Sequence, residues 1–202
     1  IRFNQAIARR LSGSQQGEDP QALKRLSGTT QEMVLIAGYG RVGHTIAVLL
    51  HNHGVPFVAF DADPQRVAQG RADGHQVLYG DASDSGFLAA VQTNQMALAI
   101  VTVGNPAVAL RAATLLHSPC PQVPIIARAR DLKASTELTE AGATQAYPDL
   151  IEASLRLGAT ALRMLRMPSQ DVDLILQGIR DYDYKDVAEE EHEVRDHSPP
   201  EL

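Results

Sequence analysis

Apolar positions in this chain follow two different periods. Met33-Val-Leu-Ile-Ala37 and Pro56-Phe-Val-Ala-Phe60 are short continuous apolar runs, and the first leads into a stretch to Leu50 where apolar residues recur every three or four positions. Runs of that kind suit strands buried on both faces, and the longer period suits helices lying on them. The alternation continues. Gln76–Tyr79 is a short third strand, Ala97–Val101 a fourth, and Val123–Ala127 a fifth that leads into Arg128-Ala-Arg130; Gln145–Tyr147 is a sixth. Helices are predicted from Pro106 to about Leu116 and from about Leu132 to Ala141. Parallel strands need right-handed helical crossovers, so the pattern predicts an α/β fold, a doubly wound Rossmann sheet of order 3-2-1-4-5-6.

Beyond the sheet the period changes again. Ile151, Leu155, Gly158, Leu162 and Leu165 recur at steps of four and three, a seam of coiled-coil type over two heptads. The same spacing also serves a helix packed on its own sheet, and two heptads are too few to decide. Pro168 ends the segment, and a second amphipathic stretch runs from Val172 to Ile179. Three parts follow: a basic and polar linker (1–31), a Rossmann domain (32–165), and an amphipathic helix with an acidic, partly disordered tail (166–202).

The richest chemistry lies between the first strand and its helix. Gly38-Tyr39-Gly40-Arg41-Val42-Gly43 is a G-x-G-x-x-G loop. Gly38 permits the tight turn, Gly40 lets a phosphate approach the backbone, and Gly43 allows helix and strand to pack closely. The free N–H groups at the helix start face an anion. Asp61 ends the second strand 18 residues past Gly43, where a carboxylate accepts hydrogen bonds from ribose hydroxyls and repels a 2′-phosphate. An adenine nucleotide such as AMP, ATP or NAD(H) is therefore expected, and NADP is not. Asp63 precedes Pro64 and is assigned instead to capping the next helix. Asp81, Thr102 and Arg128 also fall at the carboxyl ends of strands, where such sheets bind ligands.

Charge and composition narrow the classes. Residues 181–202 hold nine Asp/Glu against two Lys/Arg, so the net charge of −6 is set by the chain's end and gives no support for nucleic-acid binding. The single cysteine, Cys120, excludes an internal disulfide framework and a Cys-rich zinc site. No run approaches the roughly 20 apolar residues that span a bilayer. Residues 1–31 carry Arg2, Arg9, Arg10, Lys24 and Arg25 around a Gly/Ser/Gln-rich middle, the pattern of a cytoplasmic juxtamembrane segment or of a solvated tail. The chain begins at Ile1 without an initiator Met, which suggests a piece of something longer. His192 and His197 are five apart rather than four and do not share a helical face, so no metal site is expected there. His44, His51, His53, His75 and His117 are isolated in sequence and are expected to be surface or cap residues.

The glycine loop, Asp61, Gly80-Asp81-Ala82, Ile125-Ile-Ala-Arg-Ala-Arg130 and Gly142-Ala143 together resemble the RCK domain, also called TrkA-N or KTN. Within that superfamily the chain is similar to the C-terminal domain of monovalent cation:proton antiporters of the glutathione-gated potassium-efflux type. The resemblance covers about residues 32–165. It implies a homodimeric, non-enzymatic sensor at the cytoplasmic face of the inner membrane, attached to or docked on a membrane transport domain. Carried over by position, Arg41 and Arg128 lie near phosphates and Asp61 on the ribose, with the adjoining Ala62 among the binding residues. Asp81 and Ala82 edge the adenine, with Thr102 and Asn105 on the opposite lip. The helix after the sixth strand commonly crosses to the partner subunit in this family, which makes 151–165 the expected interface. The remaining alternatives are a small NAD-dependent oxidoreductase and a free-standing RCK subunit of a potassium uptake system. Too few residues follow 165 to form a substrate domain for the former.

Overall fold

The computed structural model describes residues 32–85, 96–182 and 184. The 1–31 linker and most of the acidic tail, with His192 and His197, lie outside the described residues. The elements run β1 (Met33–Ala37), α1 (Arg41–Asn52), β2 (Phe57–Asp61), α2 (Pro64–Ala72), β3 (Val77–Tyr79), β4 (Met96–Val101), α3 (Pro106–His117), β5 (Ile125–Ala129), α4 (Leu132–Glu140), β6 (Gln145–Pro148), α5 (Asp149–Met164) and α6 (Ser169–Asp181). All six strands are parallel, in the expected order β3-β2-β1-β4-β5-β6.

The continuous apolar strands follow from this arrangement. Side chains alternate across a strand, and in β1 both sets are buried: Val34 and Ile36 join Ala47, Val67 and Val77 in one core. Leu35 and Ala37 join Phe60, Ala112 and Leu116 in the other. Local signals fix the helix starts. Asp63 accepts from Gln65 N at 2.9 Å ahead of Pro64, Asn105 from Ala107 N at 3.0 Å ahead of Pro106, and Asp131 from Ala134 N at 2.8 Å. Each side chain satisfies an N–H that has no partner within the helix.

Two expectations need correction. The fifth strand begins at Ile125, two residues later than predicted, because Pro124 has no amide to give the ladder and only its carbonyl takes part, accepting from Ala99 N at 3.0 Å. Arg128 is therefore within the strand instead of beyond it. The 151–165 seam also splits. Ile151 and Ala159 are buried within the chain and Leu155 and Leu162 half-buried, while Leu165 lies past the helix end and is 79% exposed. The cause is α6, which folds back on α5 as an antiparallel hairpin. Arg163 Nη2 donates to Asp173 at 2.7 Å near the turn, and Arg180 and Tyr184 both donate to Glu152 at the open end. That arrangement holds Glu152 below the usual carboxylate range, chiefly through Arg180. The outward apolar line of the hairpin is instead Leu150, Leu157 and Met164, seven residues apart, with Leu174 and Ile175 on α6.

Candidate nucleotide site

The carboxyl ends of the strands surround a cleft of about 720 Å³. Gly38, Gly40, Arg41 and Val42 line it from the loop and start of α1, and Asp61 and Ala62 from the end of β2. Gly80, Asp81 and Ala82 follow β3, Thr102 and Asn105 follow β4, and Arg128 projects from β5. Of the residues expected at the site, Tyr39 and Gly43 alone are not among the lining residues.

Gly43 sits beneath the loop. A Cβ there would lie 2.0 Å from the Gly38 carbonyl oxygen, and Gly38 itself has φ of 101°, a conformation that favours glycine. The Thr102 hydroxyl donates to the same Gly38 oxygen at 2.8 Å, tying β4 to the loop. Thr102 is thus a support of the cleft floor as well as part of its lip. α1 begins at Arg41 after the N-cap Gly40, which offers no side-chain cap, and its first turn holds no acidic residue. The side-chain caps on α2, α3 and α4 make the contrast physical: only α1 of these four presents uncapped N–H groups, and it presents them to the cleft. Those donors and the positive end of the helix dipole favour an anion.

Asp61 is 8% exposed and already engaged. Its Oδ2 accepts from Tyr39 N at 2.7 Å and Arg66 Nη1 at 3.3 Å, and its Oδ1 from Asp63 N at 2.8 Å. A carboxylate has about four lone-pair sites, so capacity remains for a ribose hydroxyl. Arg66 escaped the sequence reading. The signal was available: it lies in the first turn of a helix capped by Asp63, five residues past Asp61, and so turns back over the strand end.

At the opposite wall Arg128 Nε donates to Asp149 Oδ2 at 2.6 Å. That bond raises the guanidinium above its ordinary pKa, with burial working against it. Asp149 is the first residue of α5, so the cleft and the α5–α6 hairpin share an ion pair that spacing could not reveal. Asp81 accepts from the backbone and hydroxyl of Ser83, both at 2.8 Å, and Asn105 is occupied in capping α3. Both hold their loops in shape at the cleft edge.

The Tyr39 side chain turns away from the cleft and is buried in the core that holds Val34, Ile36, Ala47 of α1 and Val67 of α2. There its hydroxyl meets His75 Nδ1. The histidines of this region are not isolated, contrary to expectation. His51 and His75 ring centres lie 5.0 Å apart and His44 and His75 6.3 Å, because α1 brings residues 44 and 51 to one face opposite the α2–β3 turn. His53, by contrast, is the α1 C-cap.

The TrkA-N domain pattern matches residues 34–148, over half of the chain. This chain belongs to the TrkA-N family. A putative K(+) efflux antiporter KefB of Alkalimonas amylolytica is 33% identical to this TrkA-N chain over 184 residues, covering 88% of the chain and 27% of the antiporter. The glutathione-regulated potassium-efflux system protein KefC of Cronobacter sakazakii is 34% identical over 160 residues, covering 79% of the chain and 25% of that protein. The chain thus spans about a quarter of the length of these relatives. Among solved structures, the AMP-bound C-terminal domain of Kef from Shewanella denitrificans superposes with a TM-score of 0.62 at 28% identity, covering 76% of this TrkA-N chain and 96% of that domain.

Proposed function

We propose that this TrkA-N domain binds an adenine nucleotide (AMP, ATP or NAD(H), and not NADP) as a signal that regulates a potassium, or other monovalent cation:proton, antiporter or efflux system. The observation that carries this reading is the uncapped start of α1 opening on the same cleft as the buried Asp61. Phosphate sits at Gly40–Val42 with Arg41 and Arg128 near it, ribose on Asp61 and Ala62, and adenine between Asp81–Ala82 and the Thr102–Asn105 lip. The AMP held by the Kef neighbour supports the ligand class, and the Kef relatives support the attached membrane transport domain, with the nucleotide domain at the cytoplasmic face of the membrane. No described helix is long and apolar enough to cross a membrane. The nucleotide is read and released without chemical turnover, so the domain is a regulator and not an enzyme. Titration calorimetry of the chain with AMP, ATP, NADH and NADPH tests the site: binding of the first three with weak or no binding of NADPH is expected, and preference for NADPH overturns the ribose assignment.

The working unit is a homodimer in which the outward line of the α5–α6 hairpin is covered by a second copy. Leu157, 74% exposed, is at its centre. Leu157→Asp places an unpaired charge in that contact and, at so exposed a position, is expected to leave the fold of one chain intact. Light scattering is expected to show dissociation of the variant with an unchanged circular-dichroism spectrum. A wild type that stays monomeric at high micromolar concentration removes the dimer.

A further inference from the structure

A second groove, of about 630 Å³, runs between α1 and α2 and shares Gly40, Arg41 and Arg66 with the nucleotide cleft. His75 is its buried element, 8% exposed, packed edge-on against Phe57 of β2. The charged and titratable groups around His75 come from each neighbouring element. Tyr39 comes from the glycine loop, Arg41, His44 and His51 from α1, and Arg66 and Arg71 from α2, with Asp73 at the end of that helix. Asp73 is the one acid in this set, and its Oδ2 lies 3.5 Å from His44 Nε2.

We propose that protonation of this histidine groove weakens nucleotide binding in the adjoining cleft, with Tyr39 as the link. Tyr39 spans both sites: its phenol contacts His75 and its backbone N–H donates to Asp61 at 2.7 Å. With His75 neutral, the phenol can donate to Nδ1. A proton on Nδ1 turns that acceptor into a donor, so the phenol must turn its hydrogen away and accept instead, and a buried imidazolium is left beside His44 and His51 with only Asp73 to oppose them. The ring cannot shift freely, because α2 approaches it closely: a Cβ on Gly70 would lie 2.7 Å from Tyr39 Cε1. Relief therefore comes from movement of the loop that carries Tyr39, and this disturbs both the Asp61 bond and the start of α1. Burial, then His51 and His44, hold His75 below the ordinary imidazole value, with Asp73 opposing. The groove thus favours the neutral ring at neutral pH and gives it up in acid. Added positive charge also attracts phosphate, and the coupling holds only where the disturbance at Tyr39 outweighs that attraction.

The coupling rests on the nucleotide reading above, and the test separates the two. The probe is ADP-ribose, whose pyrophosphate keeps its charge from neutral pH down through and below the ordinary imidazole value of about 6.5, the range in which a lowered His75 titrates. Calorimetry on the full 202-residue chain is expected to show affinity falling about fivefold or more on acidification across that range, an ordinary size for coupled sites. His75→Asn keeps an uncharged acceptor for Tyr39 and is expected to bind at neutral pH with a flat pH profile. By reciprocity, ADP-ribose lowers the His75 titration midpoint in NMR spectra of the wild type, a measurement that decides the matter even where the variant does not fold. Wild-type binding that is independent of pH or tightens in acid overturns the coupling, as does an unchanged pH dependence in His75→Asn. Failure to bind ADP-ribose at any pH overturns the coupling, and it removes the nucleotide reading as well only where AMP, ATP and NADH also fail to bind.

Discussion

Gly43→Ala is expected to cost the domain roughly 3 kcal/mol of stability, at the upper end of overpacking effects because the new methyl meets backbone. Its Cβ would stand 2.0 Å from the Gly38 oxygen and 2.9 Å from the Thr102 hydroxyl. Neither can yield cheaply, since Gly38 N is bonded to Phe60 O at 2.8 Å and Thr102 N to Ala37 O at 2.8 Å. For a chain of this size the loss corresponds to a fall in Tm of about 6–12 °C. Gly40→Ala is the control within the same motif. A Cβ there meets only the Arg66 guanidinium at 3.5 Å, an ordinary contact. That variant should unfold like the wild type yet bind nucleotide more weakly, because the methyl occupies the phosphate approach. Thermal denaturation of both variants without ligand checks the contrast, and a Gly43→Ala protein as stable as wild type would contradict the packing argument.

Asp61→Ala is expected to reduce nucleotide affinity by roughly 10- to 150-fold, the size of a lost charge-assisted hydrogen bond of about 1.5–3 kcal/mol. The variant also leaves Tyr39 N and Asp63 N without their present acceptor, so part of the loss is disorder in the loop. Asp61→Asn separates the two contributions. An amide oxygen can still accept one of those backbone bonds but no longer repels a 2′-phosphate. Calorimetry should show Asp61→Asn losing less affinity for NADH than Asp61→Ala while gaining some for NADPH. Full affinity in Asp61→Ala would place the ribose elsewhere.

Much of this architecture is written locally. The order of the sheet follows from strands and helices alternating in sequence, and the caps at Asp63, Asn105 and Asp131 need no information beyond the next three residues. The glycine loop is legible for the same reason, since its turn, its close approach and its helix start lie within six positions. What escaped depends on contacts between distant segments. His75 meets His44 and His51 only because α2 returns the chain to the face of α1. Asp149 meets Arg128 because β5 and β6 are neighbours in register, with Arg128 opposite Tyr147. The apolar spacing at 151–165 was visible, but its direction was not, because the helix that folds back on this segment is itself held by the Glu152–Arg180 and Arg163–Asp173 pairs. Arg66 is the intermediate case: the local cap at Asp63 sets its position, but its pairing with Asp61 depends on how the helix turns back over the strand end.

The Thr102 hydroxyl has a mechanical consequence. The cleft is built from two halves of the chain that meet at the β1–β4 boundary, and such a boundary is a natural place for a hinge. Here it is riveted directly under the ligand floor, by Thr102 Oγ1 on Gly38 O and by Thr102 N on Ala37 O. The halves are thereby kept from opening like a book. In the proposed site, the freer groups are long side chains at the two rims, Arg66, 53% exposed, and Arg128, 33% exposed. Each is already held by a carboxylate, Asp61 or Asp149, so a phosphate arriving at either rim would have to compete with an ion pair that also steadies the protein.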